Sequence, residues 1–189
     1  GAVVWEWHSD RHVREIARLV HVEFPLADQD WGHMNSVEAL PDGPTARRDD
    51  RFKAGSILFS CRNIDTIGVI DRQSGKVIWA WGPGTLDRQH MPTMLPNGHI
   101  LIYDNGNQLK RTRILELDPL TQKIVWEYVA DPPTSFYSPT RGSSQRLPNG
   151  NTFIAESDSG RLFEVTPTGE IVSQCRTLGD ELVVADCDL

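Results

Sequence analysis

Apolar and polar residues alternate in short runs along most of this chain, a period of two that predicts β-strands. Three of these runs, over residues 69–79, 115–126 and 163–172, contain two strand-like segments joined by a polar turn, and each predicts a hairpin. One stretch has a different period. Residues 11–22 carry apolar side chains at helical spacing, which predicts a short helix or structured loop inserted between the strand-rich parts.

A four-residue phrase, Leu-Pro-Asp-Gly or Leu-Pro-Asn-Gly, begins at Leu40, Leu95 and Leu147. Each copy leads into a predicted strand, which is followed by one of the hairpins. The repeat is therefore a small antiparallel sheet of about 50 residues, a length and strand content typical of one blade of a β-propeller. The predicted fold class is all-β, a propeller built from four-stranded antiparallel blades.

The number of repeats indicates an incomplete ring, because propellers close with about four to eight blades. The opening segment, residues 1–7, resembles the second strand of a hairpin, which gives about three and a half blade units in all. We therefore predict a partial propeller domain over residues 1–172 and a C-terminal tail, residues 173–189, outside the blade pattern. Since an open ring exposes sheet edges, we expect either a further propeller segment or a second copy of the chain to complete it.

Composition excludes some classes of partner. The 189 residues carry a formal net charge of −7, which argues against a nucleic-acid-binding surface, and no apolar run reaches the length of a membrane span. The three cysteines form neither a zinc motif nor a disulfide framework. Cys61 is predicted to be a small buried residue in a strand, and a pair between Cys175 and Cys187 is left open.

Two other sets of residues have predicted structural roles. The charge-rich segment 44–53 is expected to be a surface excursion without a function. Aromatic side chains at the ends of hairpin strands are expected to pack between blades as core. These are Trp5, Trp7, Trp79, Trp81 and Trp126.

Candidate chemistry comes from aligning the units on the repeated phrase. His33 and His90 both lie just before a copy of it, on loops and innermost strands that converge at one end of a propeller's channel. Arg62 follows a predicted strand, and Asn105 lies in a turn-like sequence after another. Arginine, imidazole and amide donors without clustered carboxylates are suited to a small tetrahedral oxyanion.

Several stretches of sequence resemble the arylsulfate sulfotransferase family. They are Asp30-Trp31-Gly32-His33-Met34-Asn35-Ser36-Val37, Ser60-Cys61-Arg62, Gln89-His90 and Tyr103-Asp104-Asn105-Gly106. The resemblance spans most of residues 1–172. It implies a six-bladed propeller that transfers a sulfuryl group from an aryl sulfate to a phenolic acceptor, in ping-pong order, through a sulfohistidine.

The resemblance also implies a role for each site residue. His90 corresponds to the nucleophile that becomes sulfurylated. The partners are a small-molecule aryl sulfate and a phenol, with no cofactor and no metal, in a periplasmic or secreted location. A further histidine of the family comes from an earlier blade and has no counterpart in this sequence. His33, Asn35 and Arg62 correspond to residues that bind the sulfate, and Thr140 is the candidate for a threonine of that set. Asn105 joins the expected sulfate-binding residues from the donor set described above.

Other hypotheses remain at this stage. Each histidine has a structural alternative, Arg62 has the alternative of pairing with Asp65, and a zinc site through His33 and His90 lacks a visible third ligand. The Asp-x-x-x-Gly-Lys-x-x-Trp run is similar to a motif of quinoprotein propellers, although no adjacent cysteine pair accompanies it. A non-catalytic binding propeller is the third hypothesis, and it predicts that His90 is dispensable.

Overall fold

The computed structural model describes residues 1–24, 30–178 and 181–185. Within these residues, one helix, α1 (Val13–Val20), precedes thirteen strands that form three antiparallel sheets. Blade 1 consists of β1 (Met34–Ala39), β2 (Ile57–Cys61), β3 (Thr66–Ile70) and β4 (Val77–Trp81). Blade 2 consists of β5 (His90–Met94), β6 (Ile100–Asp104), β7 (Arg113–Asp118) and β8 (Lys123–Val129). Blade 3 consists of β9 (Ser143–Arg146), β10 (Thr152–Glu156), β11 (Arg161–Val165), β12 (Ile171–Leu178) and β13 (Glu181–Ala185).

Strands in each blade pair in sequence order, so each blade is a meander, and the predicted fold class is confirmed. The predicted helix is also confirmed, as α1 within residues 11–22. The first strands of the three blades are neighbours, because β5 contacts both β1 and β9. Strands β1, β5 and β9 are therefore the innermost strands of their blades. At the other end of the chain, β12 runs across the predicted domain boundary at residue 172.

The repeated phrase forms the turn between the first and second strands of a blade. In the second and third copies the Gly98 and Gly150 amides bond to the carbonyls of Leu95 and Leu147, at 2.8 and 3.0 Å. Both glycines have positive φ, 87° and 90°, a conformation that favours glycine. In the first copy the turn is opened by segment 44–53, and Gly55 closes it with a 2.9 Å bond to the Leu40 carbonyl.

That inserted segment is not purely a surface excursion, and in this respect the sequence prediction was wrong. Arg47 and Arg51 are exposed, but Phe52 is buried and packs edge-on against Trp79 at a centroid distance of 5.3 Å. An aromatic side chain in a charged segment gains free energy by leaving water, and here it finds an apolar surface next to its turn.

The core lies between the blades. Apolar residues of blade 1 face those of blade 2 in one cluster, and blade 2 faces blade 3 in a second one. Cys61 is fully buried, as predicted. Trp79 is buried, while Trp81 and Trp126 are partly buried and pack against these clusters.

The opening segment does not form the predicted strand. Residues 1–8 have no strand assignment, and Val3 and Val4 are largely exposed. A strand requires a ladder partner, and none of the described strands pairs with this segment. Trp5 is therefore partly exposed rather than core, whereas Trp7 donates from Nε1 to the Gly75 carbonyl at 2.9 Å.

The sequence also raised the questions of a membrane span and of the cysteines near the C-terminus. None of the helices within the described residues is long and apolar enough to cross a membrane. The open question of a Cys175–Cys187 pair involves Cys187, which lies outside the described residues.

Candidate active site

The candidate residues lie at one end of neighbouring strands. His33 immediately precedes β1 and Arg62 follows β2, whereas His90 begins β5 and Asn105 follows β6. Adjacent antiparallel strands run in opposite directions, so the start of the first strand lies beside the end of the second. The topology therefore brings these residues, separated along the chain, to the same edge of blades 1 and 2.

His90 is half-buried and has two acceptors at one ring nitrogen. Its Nδ1 lies 2.8 Å from Asn105 Oδ1 and 3.2 Å from the Arg88 carbonyl oxygen. Burial lowers the pKa of His90, and the positive charges of Arg62 and His33 lower it further, while the bond to Asn105 opposes the shift. The imidazole is consequently neutral at neutral pH, and its Nε2 has no hydrogen-bond partner among the described residues.

Arg62 is held at the start of a short 3₁₀ turn. Its amide donates to the His33 carbonyl at 3.1 Å, and its guanidinium donates to Asn63 Oδ1 at 3.2 Å. A long 3.5 Å contact joins it to the Pro139 carbonyl of the loop before blade 3. The charges of Arg62 and Asp65 attract each other, but no ion pair or hydrogen bond joins these two side chains in the described structure, and the Asp65 carboxylate accepts from the Arg88 amide at 2.8 Å.

Arg88 is a charged residue that sequence reasoning did not single out. Its guanidinium donates to Asn63 Oδ1 at 2.7 Å, so two guanidinium groups converge on one amide oxygen. Burial lowers the pKa of Arg62, and the neighbouring charge of Arg88 lowers it further. Three carboxylates act on Arg62 in the opposite sense, those of Asp65, Asp87 and Asp30. The sequence feature that could have identified Arg88 is its position two residues before His90, just before β5 begins. The two guanidinium groups offer N–H donors of the kind that bind an anion.

His33 and Asn35 have different environments. His33 has a half-exposed side chain whose Nδ1 is hydrogen-bonded to the Asp30 carboxylate. Asn35 donates from Nδ2 to the Gln89 carbonyl at 2.8 Å and so ties β1 to the residue before His90. The His33 ring is therefore open to solvent at the site, whereas the Asn35 amide is used between two blades.

Gln89 forms a rigid support beneath His90. Its side chain is fully buried and donates from Nε2 to Ser60 Oγ at 2.9 Å. The same nitrogen contacts the carbonyl oxygens of Cys61 and Thr66, at 3.2 and 3.0 Å. Because these partners belong to β2 and β3, blade 1 fixes the backbone from which His90 projects.

Asn105 and Thr140 are each committed to protein partners. Asn105 is fully buried, and its Nδ2 donates to the carbonyls of Ser138 and Arg141, at 2.7 and 2.9 Å. Thr140 is exposed, and its hydroxyl lies 3.1 Å from Asp158 Oδ1. The structure thus brings Asn105 against His90, while the Thr140 hydroxyl bonds within blade 3 and its loop.

A metal site was the alternative for the two histidines. Within the part of the chain that the structure describes, no three His, Cys, Asp or Glu side chains are grouped so as to hold a metal ion. The charge of Arg62 instead acts on the neutral His90 imidazole, and the Arg88 guanidinium shares Asn63 Oδ1 with Arg62. Chemically, these side chains can bind an anionic substrate and present a ring nitrogen to it.

Solved structures with a similar fold include a β-propeller domain. A streptogramin B lyase structure matches with a TM-score of 0.54 and 19% identity, covering 84% of this chain and 45% of that one. The WD40 propeller domain of Doa1 matches with a TM-score of 0.54 and 14% identity, covering 76% and 40%. A protein of unknown function from Bacteroides caccae matches with a TM-score of 0.51 and 15% identity, covering 82% and 60%. The chain spans between 40% and 60% of the length of these structures, and identities this low show the fold alone.

Comparison with curated proteins gives no significant match. A family model described as arylsulfotransferase (ASST) matches residues 1–177, which is nearly the whole chain. It includes blades 1 and 2, most of blade 3 and every residue around His90 described above. The chain therefore belongs to the arylsulfotransferase family.

Proposed function

We propose that His90 is the nucleophile of a sulfuryl transfer from an aryl sulfate to a phenol, in which the enzyme passes through a sulfohistidine. One observation carries the proposal: His90 is bonded through Nδ1 to Asn105, which leaves Nε2 as the ring nitrogen without a hydrogen-bond partner among the described residues. The charge of Arg62 acts on the same ring, whose pKa is lowered. Membership of the arylsulfotransferase family supports the overall activity. His33, Arg62 and Arg88 are the residues available to hold the sulfate group.

The first half-reaction transfers the sulfuryl group to the protein. The Nε2 lone pair attacks sulfur, an N–S bond forms, and the S–O bond to the aryl group breaks with its electron pair leaving on the phenolate. Arg62 and Arg88 stabilise charge on the non-bridging oxygens, and donors of this kind are worth about 10²–10³ in rate. The product is a sulfohistidine that keeps its proton on Nδ1.

The second half-reaction regenerates the imidazole. The oxygen of the phenolic acceptor attacks sulfur and loses its proton to solvent, and the N–S bond breaks with its electron pair returning to Nε2. Division of the transfer into two displacements gives ping-pong kinetics. By analogy with phosphoryl transfer, both transition states are loose, so positioning and electrostatic stabilisation carry most of the catalysis.

Intact-mass spectrometry after incubation with 4-nitrophenyl sulfate tests this proposal. We expect an added mass of about 80 Da, with release of nitrophenolate, and loss of both in His90→Ala. His8→Ala is the matched control, because that histidine is exposed and lies in the opening segment. A folded protein that releases nitrophenolate without an adduct, or keeps the adduct in His90→Ala, would overturn the assignment; no adduct and no release would favour a binding propeller.

A further inference from the structure

We propose that Asn105 is a positioning residue that holds the proton of His90 on Nδ1 and thereby leaves Nε2 as the nucleophilic nitrogen. This inference rests on the proposed function and specifies how the nucleophile is prepared. It also replaces the expectation that Asn105 binds sulfate. The hydrogen bonds of the Asn105 amide link blade 2 to the loop preceding blade 3.

The orientation of the Asn105 amide follows from its partners. Nδ2 lies 2.7 Å from the Ser138 carbonyl oxygen and 2.9 Å from that of Arg141. Carbonyl oxygens only accept hydrogen bonds, so the group facing them must be the NH₂, and a flipped amide would place three acceptors together. The atom that faces His90 is therefore Oδ1.

The tautomer of His90 follows from that orientation. Oδ1 of Asn105 is an acceptor at 2.8 Å, and the second group near Nδ1, the Arg88 carbonyl oxygen at 3.2 Å, is also an acceptor. An unprotonated Nδ1 would face two lone pairs and make no hydrogen bond. Nδ1 therefore carries the proton, and the lone pair of the neutral ring lies on Nε2.

The burial of Asn105 argues for a positioning role and against a direct contact with the substrate. Asn105 is fully buried and both of its amide hydrogens are used, so it has no donor left for a sulfate oxygen. Thr112 also holds the backbone of Asn105 next to that of Ser138. Its hydroxyl donates to the Asn105 carbonyl at 3.0 Å and accepts from the Ser138 amide at 2.9 Å. The next residue, Gly106, has a φ of 65°, and a Cβ there would collide with the Arg111 carbonyl.

The same hydrogen bond strengthens during the reaction. When Nε2 attacks sulfur, positive charge develops on the ring and the Nδ1 proton becomes a stronger donor to Asn105. A contact that is stronger in the transition state than in the ground state accelerates the chemical step and leaves substrate binding nearly unchanged. Loss of Asn105 should therefore lower kcat and have little effect on KM.

Nitrogen NMR of protein labelled with ¹⁵N-histidine tests the tautomer directly in the unmodified protein. We expect a protonated, pyrrole-type Nδ1 and an unprotonated, pyridine-type Nε2 for His90, assigned by the loss of these signals in His90→Ala. A proton on Nε2 would overturn the inference. This measurement does not depend on activity, so a failure of the proposed function and a failure of this inference are distinguishable.

Kinetics of Asn105→Ala provide the second test, with Asn107→Ala as the matched control from the same turn. We expect Asn105→Ala to lower kcat at least about 10²-fold, since removing the group that sets a catalytic tautomer has effects of that size or larger. KM for the aryl sulfate should change little. A rise in KM at unchanged kcat would make Asn105 a sulfate ligand and overturn the inference; if the variant does not fold, the spectrum of the unmodified protein decides.

Discussion

Glu116 of blade 2 and Arg146 of blade 3 form an ion pair across the interface between these blades, with 2.7 Å between Oε2 and the guanidinium. Both side chains are largely buried, at 11% and 17% exposure. The other carboxylate oxygen contacts His99 Nδ1 at 2.7 Å, and the guanidinium lies 4.5 Å from the Trp126 ring centroid. One carboxylate thus joins a turn of blade 2 to the innermost strand of blade 3.

Arg146→Ala should lower the free energy of unfolding by about 2–4 kcal/mol, because it leaves the Glu116 carboxylate buried without its cation. Urea denaturation followed by circular dichroism measures this. The control is Arg47→Ala, whose guanidinium is 71% exposed and 3.8 Å from Asp42, and whose loss should cost less than about 0.5 kcal/mol. Equal costs for the two variants would contradict a structural role for the buried pair.

Gly68→Ala should destabilise blade 1 through overpacking. A Cβ at this position of β3 would lie 2.5 Å from Phe59 Cζ and 2.9 Å from the Trp79 carbonyl oxygen. Forced shifts in a packed core cost about 1–3 kcal/mol. Gly43→Ala is the control, since a Cβ there meets no atom within 4 Å. Denaturation midpoints that fall by the same amount in both variants would argue against the packing explanation.

The rate of sulfuryl transfer should depend on pH through His90. Since burial and nearby cations lower its pKa below 6.5, the reactive neutral form persists into mildly acidic solution. The kcat/KM profile should therefore rise with pH to a plateau, with its midpoint below that value. Arg62→Ala removes one of those charges and should move the midpoint to higher pH; an unmoved midpoint would show that the titrating group is not His90.

The same pKa has a consequence for stability. A histidine whose folded pKa is lowered binds fewer protons in the folded state than in the unfolded chain, between the folded pKa and 6.5. The stabilising contribution is complete above 6.5 and is lost as pH falls through the folded pKa. In urea titrations over this range, His90→Gln should have a shallower dependence of unfolding free energy on pH. An unchanged slope would assign the pH dependence to other groups.

Arg62→Ala should lower the single-turnover rate of nitrophenolate release by about 10²–10³-fold, because it removes a preorganised cation from the sulfate oxygens. Arg62→Lys should restore only part of the rate, since an ammonium lacks the planar fork of a guanidinium. Arg72→Ala, an exposed residue in the turn between β3 and β4, is the control and should leave the rate unchanged. A full rate in folded Arg62→Ala would remove Arg62 from the site.

Local patterns were sufficient for the blades and for part of the site. Alternation of apolar residues and the glycines of the Leu-Pro phrase act within a few residues, so strands and turns could be predicted without knowledge of the partners. The same alignment placed His33 and His90 near the starts of the first strands of their blades, seven and five residues before the repeated phrase. Sequence reasoning failed for residues 1–7, whose strand-like pattern finds no ladder partner among the described strands, and for Phe52, whose burial depends on Trp79 of β4.

The sequence by itself determined that His90 and Arg62 stand at the same end of neighbouring blades. Only the tertiary structure decided that Arg88 shares Asn63 with Arg62, and that the Asn105 amide faces His90 with its oxygen. These contacts join residues on different strands and loops, and the orientation of an amide depends on every group around it. Strand formation is a local preference. The position of the proton on His90, in contrast, depends on the Asn105 amide, whose orientation is set by the carbonyls of Ser138 and Arg141 in the loop before blade 3.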